Sequence, residues 1–476
     1  MKVQTFQDFQ ELVEYTLNAK GFTVQALSPM TSTSGERVLS IFVKLDNENC
    51  GICPHCGRKC EYYDFPKKMG APRERSWRSL DWGHTMVVIR AALGRVYCPI
   101  HKVVVEAVPW AYHSSGFTRE FDKTVCCDAV QCSKKAVSEK MRITWDTTGR
   151  AISRVQNDIE PDTRQRKQNL ESIGIDENYI RLHNVYLTIV VNHANSEVVY
   201  VAEGRNADCL RPFFESLSKE ERERIKTVTL DGAQYIRTAI NEYLPNATLC
   251  IDSFHVVQWT NDALNEVRKS EYKRVSSEIS QLKEERKEIH EELDEKTKSI
   301  VDQNIDNDIN ELKKIGKSIS GSKYPLCMNP ENLSDKQRLK LEWLMQSSNK
   351  LHRAYDRKEQ LRNILKLDDP ELAKAELKSW IKWTKLSRIK EMKELGERIN
   401  RHFDEIINTI KYNLSNARIE ATNNKIKVII RRSYGFRNVK NLIDMIMLCC
   451  STRYITYPNR GDELKKNTNW RRLFAA

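Results

Sequence analysis

The stretch from Ser172 to Asp252 limits the folds open to this chain more than any other. Ser172-Ile-Gly-Ile-Asp176-Glu177 is an apolar run ending in acids, and Val185–Val191 and Glu197–Ala202 are β-branched runs separated by the turn-forming Asn192-His-Ala-Asn-Ser196. The pattern predicts three strands in hairpin succession. An amphipathic segment with Leu210, Phe213, Phe214 and Leu217 follows. Then come a strand Thr227–Leu230 ending at Asp231-Gly232, a helix around Tyr235–Tyr243, and a strand Ala247–Ile251 ending at Asp252. Consecutive strands that give way to alternating helices and strands call for a mixed sheet with helices on its faces.

The order βββαβαβ resembles a ribonuclease H-like fold. Asp176 falls on its first strand and Asp231 at the end of its fourth, which would be neighbours in the sheet. Acids at strand ends are also common turn residues. Two adjacent carboxylates repel each other unless a cation offsets the repulsion, and hard oxygen ligands select Mg²⁺ or Mn²⁺. Two such ions could activate an attacking oxygen and stabilise a leaving 3′ oxygen.

With 476 residues the chain exceeds one compact core, so several units are expected. Upstream, Cys53-Pro-His-Cys56 and Cys98-Pro-Ile-His101 are paired knuckles with Pro after the first ligand. Two-residue spacing lets each knuckle present both side chains to one ion, and three thiolates with one imidazole suit structural Zn²⁺. Cys50, Cys60, His55 and His84 compete for these roles. Trp77–Trp82 and Met86–Arg90 read as strands of a zinc ribbon. Helices are expected at Phe117–Val130, Ser133–Met141 and Trp145–Asn157, with the rhythm of a DNA-binding helix-turn-helix. Lys134, Lys135, Arg142, Arg150 and Arg154 would contact phosphates or bases.

Charge is unevenly placed. Residues 51–170 hold 21 Lys and Arg against 13 Asp and Glu, residues 171–255 hold 8 against 13, and residues 411–440 hold 8 against 1. Basic blocks flanking an acidic segment fit a polyanionic ligand with an acidic pocket between them. Thirteen cysteines without a secretory leader point to metal ligation or buried thiols and to a cytoplasmic protein. No apolar run reaches the roughly 18 to 20 residues of a membrane span. From about 258 to 410 the chain reads as helical and charged. Val275, Ile279, Leu282, Ile289 and Leu293 mark a helical hairpin or coiled coil, and Trp343, Trp380 and Trp383 are expected to anchor later helices. A DNA-contacting arm or a dimer surface is its expected role.

Beyond it stands Ser415-Asn-Ala-Arg-Ile-Glu420-Ala-Thr-Asn-Asn424-Lys-Ile-Lys427, then Arg431-Arg-Ser-Tyr-Gly-Phe-Arg437-Asn438. Glu420 is the one acid of its basic window, with Asn423 and Asn424 on its helical face. A helix that delivers one acid to a metal site, among cations that hold phosphates, accounts for the pattern. At this point the chain resembles the bacterial insertion-sequence DDE transposases of the ISL3 family over nearly its whole length. The likeness rests on both knuckles, Trp77-Arg-Ser-Leu-Asp-Trp82, the helix-turn-helix, Gly174-Ile-Asp-Glu177, Thr229-Leu-Asp-Gly-Ala-Gln-Tyr-Ile236, Ile251-Asp-Ser-Phe-His-Val-Val-Gln258 and the motif around Glu420.

The resemblance implies Asp176, Asp231 and Glu420 as the catalytic, metal-binding triad, with Asp252, His255 and Asn424 beside the site as a phosphate or metal outer shell. His101 stands where the family more often has Cys. Lys425, Lys427, Arg431, Arg432 and Arg437 would grip DNA near the scissile phosphate. It further implies an α+β multidomain chain: a zinc-ribbon region over 1–112, a helix-turn-helix over 113–165, and a ribonuclease H-like core over 166–260 and 411–476, interrupted by an all-helical insertion over 261–410. The expected activity is Mg²⁺-dependent cleavage and strand transfer with two ions, on double-stranded DNA carrying terminal inverted repeats and on target DNA. A homodimer or larger assembly at the bacterial nucleoid is expected, with no membrane. Competing expectations are a catalytically silent DNA-binding regulator and a structure-selective nuclease.

Overall fold

A computed structural model describes residues 8–33, 35–65, 74–160, 164–181, 184–290, 295–414, 417–433, 436, 438–450 and 457. The chain begins with α1 (Phe9–Leu17), β1 (Phe22–Thr31) and β2 (Arg37–Leu45), followed by β3 (Tyr62–Asp64), β4 (Glu74–Arg78), β5 (Met86–Ala92), β6 (Arg95–Cys98) and β7 (Lys102–Val105). These strands form two sheets, ordered β1-β2-β5-β4 and β3-β6-β7. Alternation along β5 buries Val87, Ile89 and Ala91 against Val13, Leu17, Phe22 and Trp77. The Trp77 and Trp110 rings meet edge to face at 5.4 Å.

The zinc-ribbon expectation needs correction here. Trp77 and Met86–Arg90 belong to the four-stranded sheet, whereas the strands that carry the knuckles are β3, β6 and β7. A period-two strand with one buried face must pack on a core, and α1 with β1 and β2 supplies one.

Three helices follow: α2 (Arg119–Gln131), α3 (Lys134–Met141) and α4 (Trp145–Ile159). Thr118, Ser133 and Thr144 cap them, each hydroxyl accepting from the backbone N–H three residues on. After α5 (Arg164–Lys167), the second large unit is β8 (Ser172–Ile180), β9 (Val185–Asn192), β10 (Val198–Glu203), α6 (Ala207–Glu215), α7 (Lys219–Arg224), β11 (Thr227–Leu230), α8 (Gln234–Tyr243) and β12 (Thr248–Ile251).

Its strands lie in the order β10-β9-β8-β11-β12. Strand β9 is antiparallel to both neighbours, and β8, β11 and β12 are mutually parallel. Ile175 pairs with Leu230, and Leu230 pairs with Ile251. The next residues therefore stand at one level: Asp231 and Asp252 follow the ends of β11 and β12, whereas Asp176 lies inside β8, which runs on to Ile180 instead of ending at its acids as expected.

The two faces of this sheet are covered differently. Ile173, Ile175, Val228 and Leu230 pack with Leu210, Phe213 and Phe214 of α6 and Ile236 and Ile240 of α8. Leu187, Ile189 and Val191 pack on the other side with α17 (Ala417–Arg432) and α18 (Val439–Cys449), through Ile426, Ile429, Leu442, Met445 and Ile446. Phe121, Val125, Ile152 and Val155 of α2 and α4 belong to that same cluster. The three-helix unit is thus docked on the sheet. Arg166 of α5 reinforces the joint, donating to the carbonyls of Val198 at 2.8 Å and Met447 at 2.9 Å while ion-paired with buried Glu160.

Between β12 and α17 run α9 (Ser253–His290), α10 (Glu295–Ser320), α11 (Lys323–Cys327), α12 (Asp335–Ser347), α13 (Asn349–Ile364), α14 (Pro370–Lys385), α15 (Lys390–Arg401) and α16 (Phe403–Tyr412), around their own core. Helices α9 and α10 pack along each other as the expected hairpin, with Val275 buried and Ile279 packed beside Leu312 and Ile315. Ile289, nearer the tip, is exposed, and Leu293 lies outside the described residues. Of the three expected tryptophan anchors only Trp380 is buried, its indole donating to the Arg357 carbonyl at 2.9 Å. Trp343 and Trp383 are exposed. Helix α16 is tied to the sheet edge: the Asn408 amide donates to the Leu249 carbonyl and the Thr409 hydroxyl to that of Ile251. No helix among the described residues is long and apolar enough to cross a membrane.

Candidate active site

Alternation along β8 sends Asp176 to the face covered by α17, and Asn423 of that helix donates to Asp176 Oδ2 at 2.5 Å. The Glu177 N–H donates to Oδ1 of the same carboxylate at 2.8 Å. Asp231 and Asp252 each close a short turn at a strand end, accepting from the N–H groups of Ala233 and Phe254 at 2.9 Å. Gly232 takes φ +93, where a β-carbon would be strained. Asp252 also holds the start of α9, its carbonyl accepting from the His255 N–H at 3.0 Å.

Asp176, Asp231 and His255 each offer a ligand atom within 4.8 Å of the others. Burial lifts the Asp176 carboxyl above its ordinary range. The Glu177 N–H and Asn423 oppose the lift, and Asp231 adds to it. Asn423 Oδ1 is buried without a hydrogen-bond partner, on a residue that lines the cleft. Two close carboxylates, an imidazole and an unsatisfied amide oxygen fit a divalent cation by donor chemistry.

Glu420 stands exposed in the first turn of α17 and lines the same cleft, of about 840 Å³, as Asp176, Asp252, His255, Asn424 and Lys427. The opposite wall comes from the helical unit, where Lys366 and Asp368 of the α13–α14 connection and Lys411 of α16 reach the cleft. These residues carried no motif in the sequence. Nor did Arg205, which pairs with Glu177 at 2.6 Å. Asn423, rather than Asn424, touches the Asp176 carboxylate; helical spacing placed both on one face without separating them.

The knuckles converge. Cys53 lies in the turn before β3, Cys98 ends β6, and His101 lies in the turn before β7. His101 Nδ1 is 3.5 Å from Cys53 Sγ and 3.6 Å from Cys98 Sγ, and the Cys56 and Cys98 sulfurs are 3.8 Å apart. A tetrahedral Zn²⁺ with bonds of about 2.3 Å to sulfur and 2.0 Å to nitrogen needs separations of about 3.8 and 3.5 Å. The residues therefore fit that ion. Hydrogen bonding, chiefly from the His101 backbone, brings the Cys98 thiol down to about 6. Of the competitors, His55 has its ring tilted against that of His101 at 4.9 Å and His84 is exposed in the turn between β4 and β5; neither belongs to the group of four.

The expected DNA contacts divide. Lys135 and Arg150 are exposed, each beside an acid one turn away. Lys425, Lys427 and Arg431 are exposed along α17, Arg432 is half-buried, and Arg437 lies outside the described residues. Two assignments are corrected by burial. Lys134 is 1% exposed, its ammonium 4.4 Å from the Trp145 ring centre and 5.2 Å from that of Phe436. Arg154 is turned inward onto buried Asp122 at 2.8 and 2.9 Å. Arg142 is exposed but bound to Glu36 and Asp81. The face of α4 that packs on α18 is unavailable to a groove.

Comparison with known proteins follows the same outline. A family profile described as a transposase matches residues 173–446, and one described as the helix-turn-helix domain of transposase family ISL3 matches residues 106–156. The chain is 38% identical over 408 residues to the transposase for insertion sequence element IS1557 of Mycobacterium tuberculosis, covering 86% of this chain and 87% of that protein. It is 24% identical over 407 residues to the transposase for insertion sequence element IS1001 of Bordetella parapertussis, covering 84% and 89%.

Proposed function

The chain belongs to the ISL3 family of transposases, and from that premise we propose that it binds the terminal inverted repeats of its own element and carries out strand cleavage and transfer at the cleft between β8, β11 and α17. The observation that carries the reading is the delivery of Asp176 and Asp231 side by side from parallel neighbouring strands, with Asp176 lining a cleft that Glu420 also lines. The sheet order, with its third strand at one edge and its first at the centre, supports a ribonuclease H-like core. The core that α9–α16 build, joined from the sheet by Ile251 of β12, supports reading that unit as an insertion into it. The five-part division at 112, 165, 260 and 410 goes with this reading once its last two boundaries are moved to the ends of the helical unit, because 260 falls inside α9 and 410 inside α16.

Asp176, Asp231 and Glu420 would hold divalent cations, Mg²⁺ or Mn²⁺. Two such ions, when bound, supply activation of the attacking oxygen and stabilisation of the leaving 3′ oxygen. Asn423 orients the Asp176 carboxylate, and the Asp252 turns fix the start of α9 beside it. Lys427, Lys411 and Lys366 bring positive charge to the cleft from three elements, where phosphodiester oxygens would be aligned. Phosphoryl transfer needs alignment and charge neutralisation more than a protein nucleophile, so the freed 3′-hydroxyl can use the same cleft to attack target DNA. Cys53, Cys56, Cys98 and His101 would hold a structural Zn²⁺ that shapes the ribbon. The ribbon and the exposed Lys135 and Arg150 would hold the repeat ends, and pairing two ends requires at least a dimer. Such a protein acts on DNA in the cytoplasm, at the nucleoid.

The test is Mg²⁺-dependent cleavage of a labelled inverted-repeat end, with Asp231→Asn as control. Nicking and joining by the unaltered chain, lost in Asp231→Asn, is the expected result. Nicking without joining would leave a nuclease, and binding without nicking a regulator.

A further inference from the structure

We infer that the first divalent cation to enter the cleft is held by Asp176, Asp231 and His255, with an imidazole nitrogen as a direct ligand, and that Glu420 is not needed for this step. The inference rests on the reading of the cleft as a metal-dependent site. It departs from the expectation that His255 stands behind the ligands.

The three residues offer atoms within 4.8 Å of one another. Donors around an ion with bonds of about 2.1 Å lie about 3 Å apart when adjacent and about 4.2 Å apart when opposite, so the set closes on an ion with small side-chain adjustments. His255 is placed there by its backbone. It lies in the first turn of α9, where the Asp252 carbonyl accepts its N–H and the Asp252 carboxylate accepts the N–H of Phe254. The ring then faces Asp176 and Asp231, with Asp252 Oδ2 3.9 Å from Nε2. At 3.9 Å the Asp252 carboxylate neighbours the ring without a hydrogen bond to it, so the backbone contacts at the start of α9 are what place the ring. Glu420 is exposed on the wall of the cleft, outside this group of three, free to engage when DNA brings its phosphate. A nitrogen ligand also shifts the preference among hard cations. Imidazole suits first-row transition ions, so the site should take Mn²⁺ more tightly than Mg²⁺.

The experiment uses the full-length, zinc-loaded chain without DNA, titrated with Mn²⁺ and read by electron paramagnetic resonance, with zinc content measured on the same samples. One tightly bound Mn²⁺ per chain is expected, its spin echo modulated by a directly coordinated ¹⁴N. Labelling histidine with ¹⁵N should replace that modulation by the ¹⁵N pattern, a result that needs no substitution. Glu420→Gln should change the Mn²⁺ Kd by less than about threefold and keep the modulation, whereas His255→Gln should weaken binding by about tenfold or more and abolish it. Bound Mn²⁺ with no nitrogen modulation in the unaltered chain overturns the inference. So does loss of the ion from Glu420→Gln while His255→Gln retains it. Cleavage of repeat ends by a chain whose Mn²⁺ lacks nitrogen would leave the transposition reading standing and sink this one. A nitrogen-bound ion in a chain that cleaves no end would do the reverse.

Discussion

Burial lifts the Asp176 carboxyl, the Glu177 N–H and the Asn423 amide pull it back, and Asp231 raises it again. A carboxyl raised in the folded state favours folding below its unfolded value, and that advantage is lost as pH rises through the folded value. Without metal, Asp176→Asn is therefore expected to raise the melting temperature at pH 7, with the gain shrinking as pH falls through the carboxylate range. A gain that grows on acidification would contradict the electrostatics described. Asn423→Ala removes the donor that orients this carboxylate and should slow cleavage by about 10- to 100-fold, leaving end binding unchanged in a mobility-shift assay. At this scale Asp231 and Asp252 were legible in the sequence because they follow apolar strands, Asp231 with a turn glycine after it, whereas β8 runs past Asp176 to Ile180. The roles of Asn423 and His255 depend on distances across elements, which spacing along one helix does not carry.

Among the elements, the helix-turn-helix shows most sharply where sequence reasoning stops. The short-helix, turn, longer-helix rhythm located α2, α3 and α4 to within a few residues. Amphipathicity marks a buried face, however, without naming its partner. Helix α4 buries Ile152 and Val155 against the cluster that holds α18 and β9, while Lys134 of α3 is buried beside Trp145 and Phe436 and half-buried Arg154 is turned onto Asp122. Likewise β4 and β5 found partners in β1 and β2, which no local pattern linked to them. Arg150→Ala should reduce the salt dependence of end binding by about one unit of log–log slope. Lys134→Met should leave that slope unchanged, and anisotropy titrations across salt concentrations measure both. In the ribbon, Cys53→Ser is expected to release zinc and weaken end binding while the core stays folded. Stoichiometric zinc in that variant, measured by atomic absorption, would refute the ligand set.

On the scale of the whole molecule, the three-helix unit and the sheet share one apolar cluster, and buried Arg166 joins α5 to β10 and α18. Arg166→Ala leaves Glu160 buried without its cation and should cost about 3 to 5 kcal/mol. Hydrogen exchange should then speed in α4 and β9 together; acceleration confined to one of them would separate the two units. The helical unit, by contrast, has its own core yet reaches the cleft through Lys366 and Lys411, a contribution invisible in its charged, repetitive sequence. Acids from two strands and a late helix are proposed to act together on one phosphodiester. The most direct measurement is a structure of the chain on an intact repeat end with Ca²⁺ in place of the catalytic ion. Glu420 should bind an ion of the Asp176 and Asp231 site at about 2.3 to 2.6 Å, beside the scissile phosphate. A fully seated DNA end with Glu420 turned away from every ion would contradict the account.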